Sequence, residues 1–297
     1  MRETTLEKEF LTTREKSHVS SQKRTFFGLT ELFVGAAGLV ILIIIICALF
    51  PQLIAPYSPT TMSQDAILQP PSLAHLFGTD QFGRDVFSLV VYGSRDSLFI
   101  GVLSVIVGGL AGGGIGALSG YLGGRIDGVL MRLIEVLMTI PGILLALAIA
   151  ASLGPSLLNI VLAIAISSIP GYARVMRGQV MSIKGRSFIS ASHSIGVSKW
   201  KIFTSHVLPN SFSPMLVMAT LGIGSAILAG SGLSFLGLGV LNEIPDWGAL
   251  LSQGRGFLTV AWWICTFPGL AITLFVLSVN IIGDWLRDYL DPKKQRA

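Results

Sequence analysis

Five stretches of this chain contain no Asp, Glu, Lys or Arg: Leu32–Gln64, Ser97–Gly124, Val136–Ala173, Ile202–Asn242 and Gly256–Gly283. A helix needs about 20 apolar residues to cross the hydrocarbon of a bilayer. Inside lipid a backbone must satisfy its own polar groups, which leaves only helices and closed barrels. Runs this long, without strand-like alternation, restrict the chain to an all-α polytopic membrane fold. The composition agrees, since 12% of the 297 residues are charged and 52% are apolar, against about 25% charged in soluble domains.

Dividing the runs gives six expected spans, at 31–50, 98–120, 129–152, 156–173, 213–236 and 262–283. The first ends at Pro51 and the Pro56/Pro59 region. The 38-residue run Val136–Ala173 is divided at Gly154-Pro155. The first span exceeds the apolar core of a signal peptide and runs on into Pro-rich sequence, so it reads as a retained anchor. "FGTDQFGRDVFSLVVYG" precedes span two. Thr79 or Asp80 as a cap and Phe82, Val86, Leu89 and Tyr92/Gly93 at helical spacing predict an amphipathic surface helix there, with an irregular loop as the alternative.

Charge sets the expected orientation. Of the 21 Lys/Arg, all except Arg84, Arg95 and Arg255 fall on the side of the N-terminus. The positive-inside rule makes that side cytoplasmic. Both termini are then cytoplasmic, as is the loop 174–212. The segments 51–96 and 237–261 face outward. The basic residues are dispersed over several segments, which disfavours a nucleic-acid face.

The polar stretch "SASHSIGVSKWKIFTSHVLPN", Ser190–Asn210, is the anomaly. Gly196 predicts a C-terminal stop for one short helix. Ser198 predicts an N-cap for a second, with Val197 and Ile202 as its staple. Leu208-Pro209 predicts the second helix's end. Such a hairpin suits insertion into a partner's groove. It equally suits a solvated loop anchored at headgroups by Trp200, Lys199 and Lys201.

The triplet Ser190-Ala191-Ser192, followed by Gly196 and then Leu208-Pro209, resembles the "EAA" loop of ATP-binding cassette (ABC) importer permeases. "PPSLAHLFGTDQFGRDVFSLVVYGSR", "GYLGGRIDGVLMR", "PGYARVMRGQV", "LSFLGLG" and "GDWLRDYLDPKK" resemble the dipeptide/oligopeptide/nickel subfamily. Three positions depart from that pattern: Ser190 replaces the usual Glu, Ser192 the usual Ala, and Gly230 a frequent acidic residue. His193 stands where a basic residue is common.

The resemblance implies a type I importer permease (MetI-like) fold and residence in the bacterial inner (plasma) membrane. It implies an N-terminal tail 1–30, a first helix and periplasmic segment 31–96, a core 97–285 with coupling loop 174–212, and a tail 286–297. Phe188, Ser190, Ala191, Ser192, His193, Gly196, Trp200, Leu208 and Pro209 would form the ATPase-coupling loop. The implied partners are a homologous second permease, two ABC ATPases and a periplasmic or lipid-tethered binding protein. ATP and Mg would sit on the ATPases, with no cofactor in this chain. Phe82, Arg84, Asp85, Trp247 and Arg255 are candidates for binding-protein docking, although Trp and Arg also serve as membrane-interface residues. The implied cargo is a di- or oligopeptide, with nickel or a metal–chelator complex as alternative.

Reactive or metal-binding constellations are not apparent in the sequence. G-x-x-x-x-G-K-[ST], H-E-x-x-H and G-x-S-x-G are all missing. His18, His75, His193 and His206 show no metal-ligand spacing, and Cys47 and Cys265 lie in apolar runs. An ion-coupled secondary transporter, the other class of function, would need carboxylates at the midplane. The span residues offer only Glu135, which has Arg132 at i−3 as an expected structural partner. Asn159, Ser167, Ser168 and Asn280 are the polar candidates for lining a path. Gly108, Gly112, Gly116 and Gly120 predict a close helix contact.

Overall fold

The computed structural model describes residues 31–239 and 242–290. The tail 1–30, residues 240–241 and the last part of the tail 286–297 lie outside the described residues. In chain order the main helices are α1 (Glu31–Leu49), α2 (Val86–Leu122), α3 (Gly124–Met138), α4 (Gly142–Leu153), α5 (Leu157–Lys184), α6 (Ser187–Ser194), α7 (Lys199–Ile202), α8 (Ser213–Leu233), α9 (Trp247–Gly254) and α10 (Trp263–Leu290). A π turn, Phe203–Val207, prolongs α7, and another, Ser234–Leu238, prolongs α8. Among the described residues the only strand-like pairing is an isolated bridge between Thr79 and Asp85.

Five of these helices, α1, α2, α5, α8 and α10, are long and apolar enough to cross a membrane. The expected third span is not one helix. α3 and α4 are bent by 87° at Thr139–Pro141, and they make a sixth span only when counted together. Pro141 lacks an N–H and disfavours helix at Ile140. The last turn of α3 tightens instead, with Thr139 N donating to Val136 O at 3.2 Å and the Thr139 hydroxyl to the same oxygen at 2.7 Å. Pro170 and Pro268, by contrast, lie inside continuous helices.

The expected surface helix before span two is absent as a separate element. Asp85, rather than Thr79 or Asp80, caps α2 by accepting from Ser88 N at 2.8 Å. Val86 and Leu89 are fully buried, so this turn is the start of α2 itself. With 37 residues, α2 extends well beyond the roughly 20 that cross a bilayer.

The α2–α5 contact is the most extensive among the described residues, and glycine permits it. A Cβ at Gly108 would stand 2.1 Å from Ser168 Oγ. One at Gly112 would stand 2.5 Å from Ile169 O, and one at Gly116 2.2 Å from Ala173 O. Small residues four apart allow such backbone approach. Two apolar clusters result. One joins α2, α4, α5, α8 and the α6–α7 hairpin, while the other joins the start of α2 to α8, α9 and α10.

Candidate functional site

α5 runs on to Lys184, so Arg174, Arg177 and Lys184 are helical rather than in a loop. The chain turns at Gly185, and Arg186 stands at the N-cap of α6. Gly196 then adopts φ +80°, where nothing within 4 Å would obstruct a Cβ. Backbone conformation, not space, therefore requires glycine there. Ser198 caps α7 by accepting from Lys201 N at 3.4 Å.

The helix does not end at Leu208 as expected. The π turn Phe203–Val207 widens it, with Leu208 N donating to Phe203 O, and a last turn, Leu208–Asn210, follows. Widening relieves the conflict between the Pro209 ring and the preceding turn, so proline is carried inside the element.

This hairpin has two unlike faces. Ile189, Ile202, Phe203 and Val207 are buried against the bundle, next to Val180 and Ile183 of α5. Each fully buried side chain of this size contributes about 1.5–3 kcal/mol, which makes the hairpin a seated element rather than a loose loop. The other face is open. Ile195 is 79% exposed, Trp200 70% and Phe188 41%. Ser190, Ala191, His193 and Gly196 are exposed among them. Ser192 is half-buried, and its hydroxyl donates to Phe188 O at 2.9 Å. Leu208 packs on the core at the far end, and Pro209 is exposed. Exposed apolar side chains gathered on a folded element mark an interaction surface.

Residues 112–296 match the model of a family described as binding-protein-dependent transport system inner membrane component. The chain belongs to this family. Residues 34–71 match the N-terminal TM domain of oligopeptide transport permease C. A probable D,D-dipeptide transport system permease protein of Escherichia coli strain K12 is 41% identical over 94% of this chain and 96% of its own length. A di/tripeptide transport system permease protein of Pseudomonas aeruginosa is 43% identical over 89% of both. A glutathione transport system permease protein of Pectobacterium atrosepticum is 42% identical over 87% of this chain and 86% of its own. The whole hairpin lies inside the matched permease region.

The seat of the hairpin in this permease includes residues that sequence reasoning did not single out. Tyr121, in the last turn of α2, donates its hydroxyl to Lys199 O and packs its ring 4.6 Å from that of Phe203. Lys184 Nζ donates to Tyr121 O at 2.6 Å. Asp127 of α3 takes a two-pronged ion pair from Arg177 of α5, with both N–O distances 2.6 Å, and it also accepts from the Ser119 hydroxyl. Tyr121 and Asp127 lie in the quoted "GYLGGRIDGVLMR". Their partners are distant in sequence, so no local spacing reveals them. The expected Arg132–Glu135 pair is not among the ion pairs of the described residues, and both side chains are exposed.

At the opposite end of the permease, three docking candidates are internal, which corrects the expectation of a free surface. Arg84 is buried and bound to Asp80 at 2.7 Å, with further bonds to Glu243 O and the Gln253 side chain. Asp85 caps α2 and meets His75 Nδ1 at 3.0 Å. Trp247 is 1% exposed, and its indole donates to Val90 O at 2.9 Å. Phe82 and Arg255 remain at the surface, the latter 5.5 Å above the Phe235 ring.

Asp246 caps α9, accepting from Gly248 N at 2.7 Å, Ala249 N at 3.1 Å and the Ser234 hydroxyl at 2.9 Å. Burial pushes its carboxyl above the usual range, against the pull of those bonds.

The path candidates have separate, local engagements. Asn159 donates to Leu153 O and Gly154 O, closing the α4–α5 turn. Ser167 and Ser168 bond back to their own helix, at Ile164 O and Ala165 O. Asn280 lies on α10 opposite Gly224 of α8. α5 and α10 have no extensive contact.

Proposed function

We propose that this permease is one half of an importer for di- or oligopeptides, completed by a second permease of similar fold and driven by two separate ATPase subunits. The observation that carries the reading is the open face of the α6–α7 hairpin. Phe188, Ile195 and Trp200 stand exposed on a unit whose other face is firmly buried. Such a unit moves as a body when a partner moves it, which is what rocking of helix bundles between two access states requires. ATP and Mg belong on the partner, because this sequence has no phosphate-cradling loop. The distribution of Lys/Arg supports a cytoplasmic hairpin and cytoplasmic termini. The opposite end, with Phe82 and Arg255 at its surface, is the face offered to an external binding protein. The peptide cargo follows the relatives, whose names specify dipeptides, di/tripeptides and glutathione.

The test is uptake of labelled dialanine by vesicles holding the full complex and its binding protein. With the hairpin facing the lumen and the binding protein outside, ATP enclosed in the vesicles should drive accumulation, and an ionophore should leave it intact. Uptake that ignores ATP and collapses with the ionophore would instead establish ion-coupled transport.

A further inference from the structure

The motif around Tyr121 makes a joint that the proposed function leaves without a role. One residue reaches two elements. Its hydroxyl and ring hold the hairpin at Lys199 and Phe203, while its carbonyl holds the end of α5 through Lys184. The ring of Trp200 lies 5.7 Å from that of Phe203, so an aromatic row leads from the exposed hairpin face to Tyr121. Directly after Tyr121 and Leu122 the chain passes through Gly123 and Gly124, at φ +67° and +57°, with nothing within 4 Å of either Cβ position. Conformation alone demands glycine at both, as expected of a turn about which an element can swing. Beyond it, α3 is pinned to α5 one turn in, by Asp127 and Arg177.

We propose that Tyr121 is a positioning residue that passes hairpin movement into α3–α4, with the Asp127–Arg177 pair as its fulcrum. The proposal rests on the reading of this chain as an ATPase-driven permease. Displacing the hairpin shifts Lys199 and Phe203, and Tyr121 follows because its hydroxyl and ring are both engaged. The glycine turn converts that shift into rotation of α3 about the ion pair, and α3–α4 is the bent, broken span of the bundle.

The experiment compares labelled dialanine uptake and ATP hydrolysis in the same vesicles, for wild type, Tyr121→Phe, Asp127→Asn and the exchanged pair Asp127→Arg/Arg177→Asp. Tyr121→Phe removes one hydroxyl and keeps the ring. Complex yield and ATP hydrolysis should stay within about two-fold, while uptake per ATP falls about five-fold, the loss of one hydrogen bond's worth of coupling. Asp127→Asn should lower the same ratio, and the exchanged pair should restore it at least in part. A wild-type ratio in both Tyr121→Phe and Asp127→Asn overturns the inference. So does loss of assembly in Tyr121→Phe, which would assign the residue to folding alone. Wild-type vesicles that hydrolyse ATP without uptake overturn the functional reading itself, a result distinct from either.

Discussion

Asp246 shows how a single side chain can set the pH response of the surface opposite the hairpin. It is 4% exposed, so ionisation there is opposed by desolvation, while three donors pull the other way. The net shift is upward. A carboxyl raised in the folded state contributes stability that is fully present below its unfolded value of about 3.9 and is lost as pH climbs through the raised folded value. Thermal unfolding in detergent from about pH 4 to pH 8 should show wild type losing stability relative to Asp246→Asn, which keeps a cap and cannot ionise. Asp246→Ala should cost about 1–3 kcal/mol near pH 4, because it removes the cap and strands the Ser234 hydroxyl, and the deficit should narrow as pH rises. Gly196 offers a second residue-scale expectation. Any L-residue at φ +80° is strained, so Gly196→Ala should lower the unfolding free energy by about 1–2 kcal/mol.

Among the elements, α2 and α5 behave as one packed unit because glycine removes the side chains between them. Gly116→Val would place its Cβ 2.2 Å from the Ala173 carbonyl oxygen, and overpacking of that kind costs about 1–3 kcal/mol or more. Gly114→Ala, two residues earlier with nothing within 4 Å, should instead be neutral or stabilising by up to about 1 kcal/mol. A pair of denaturation curves distinguishes a packing stripe from a merely glycine-rich helix. Sequence spacing exposed this stripe because four-residue intervals are local. It also exposed the Gly196 turn and the Ser198 cap. The effect of each proline was not legible in the same way. Pro141 separates α3 from α4, Pro209 is absorbed by a π turn, and Pro170 and Pro268 are carried within long helices. Which outcome occurs depends on neighbouring turns and packing, and none of these is written in an X-Pro dipeptide.

At the scale of the molecule, the charge-free runs identified the polytopic helical class, since lipid allows few alternatives. The hairpin was legible as well, because a polar insertion between apolar runs is conspicuous. Its seat was not. Tyr121 meets Lys199 and Asp127 meets Arg177 only once α2, α3 and α5 have packed. Arg84 and Trp247 looked like surface anchors by residue type, yet the fold uses both as internal staples. The open hairpin face should behave as a docking surface: replacing Ile195 by Asp should reduce co-purification of an ATPase at least ten-fold, about 1.4 kcal/mol or more of lost contact. The most direct test of the central claim is disulfide or short-linker cross-linking from a cysteine placed at His193, with Cys47 and Cys265 replaced, in membranes containing the ATPases. The account predicts a cross-link from His193→Cys to the ATPase, in a yield that changes when ATP is added. No cross-link, together with labelling of that cysteine by a membrane-impermeant thiol reagent from outside intact cells, would contradict it.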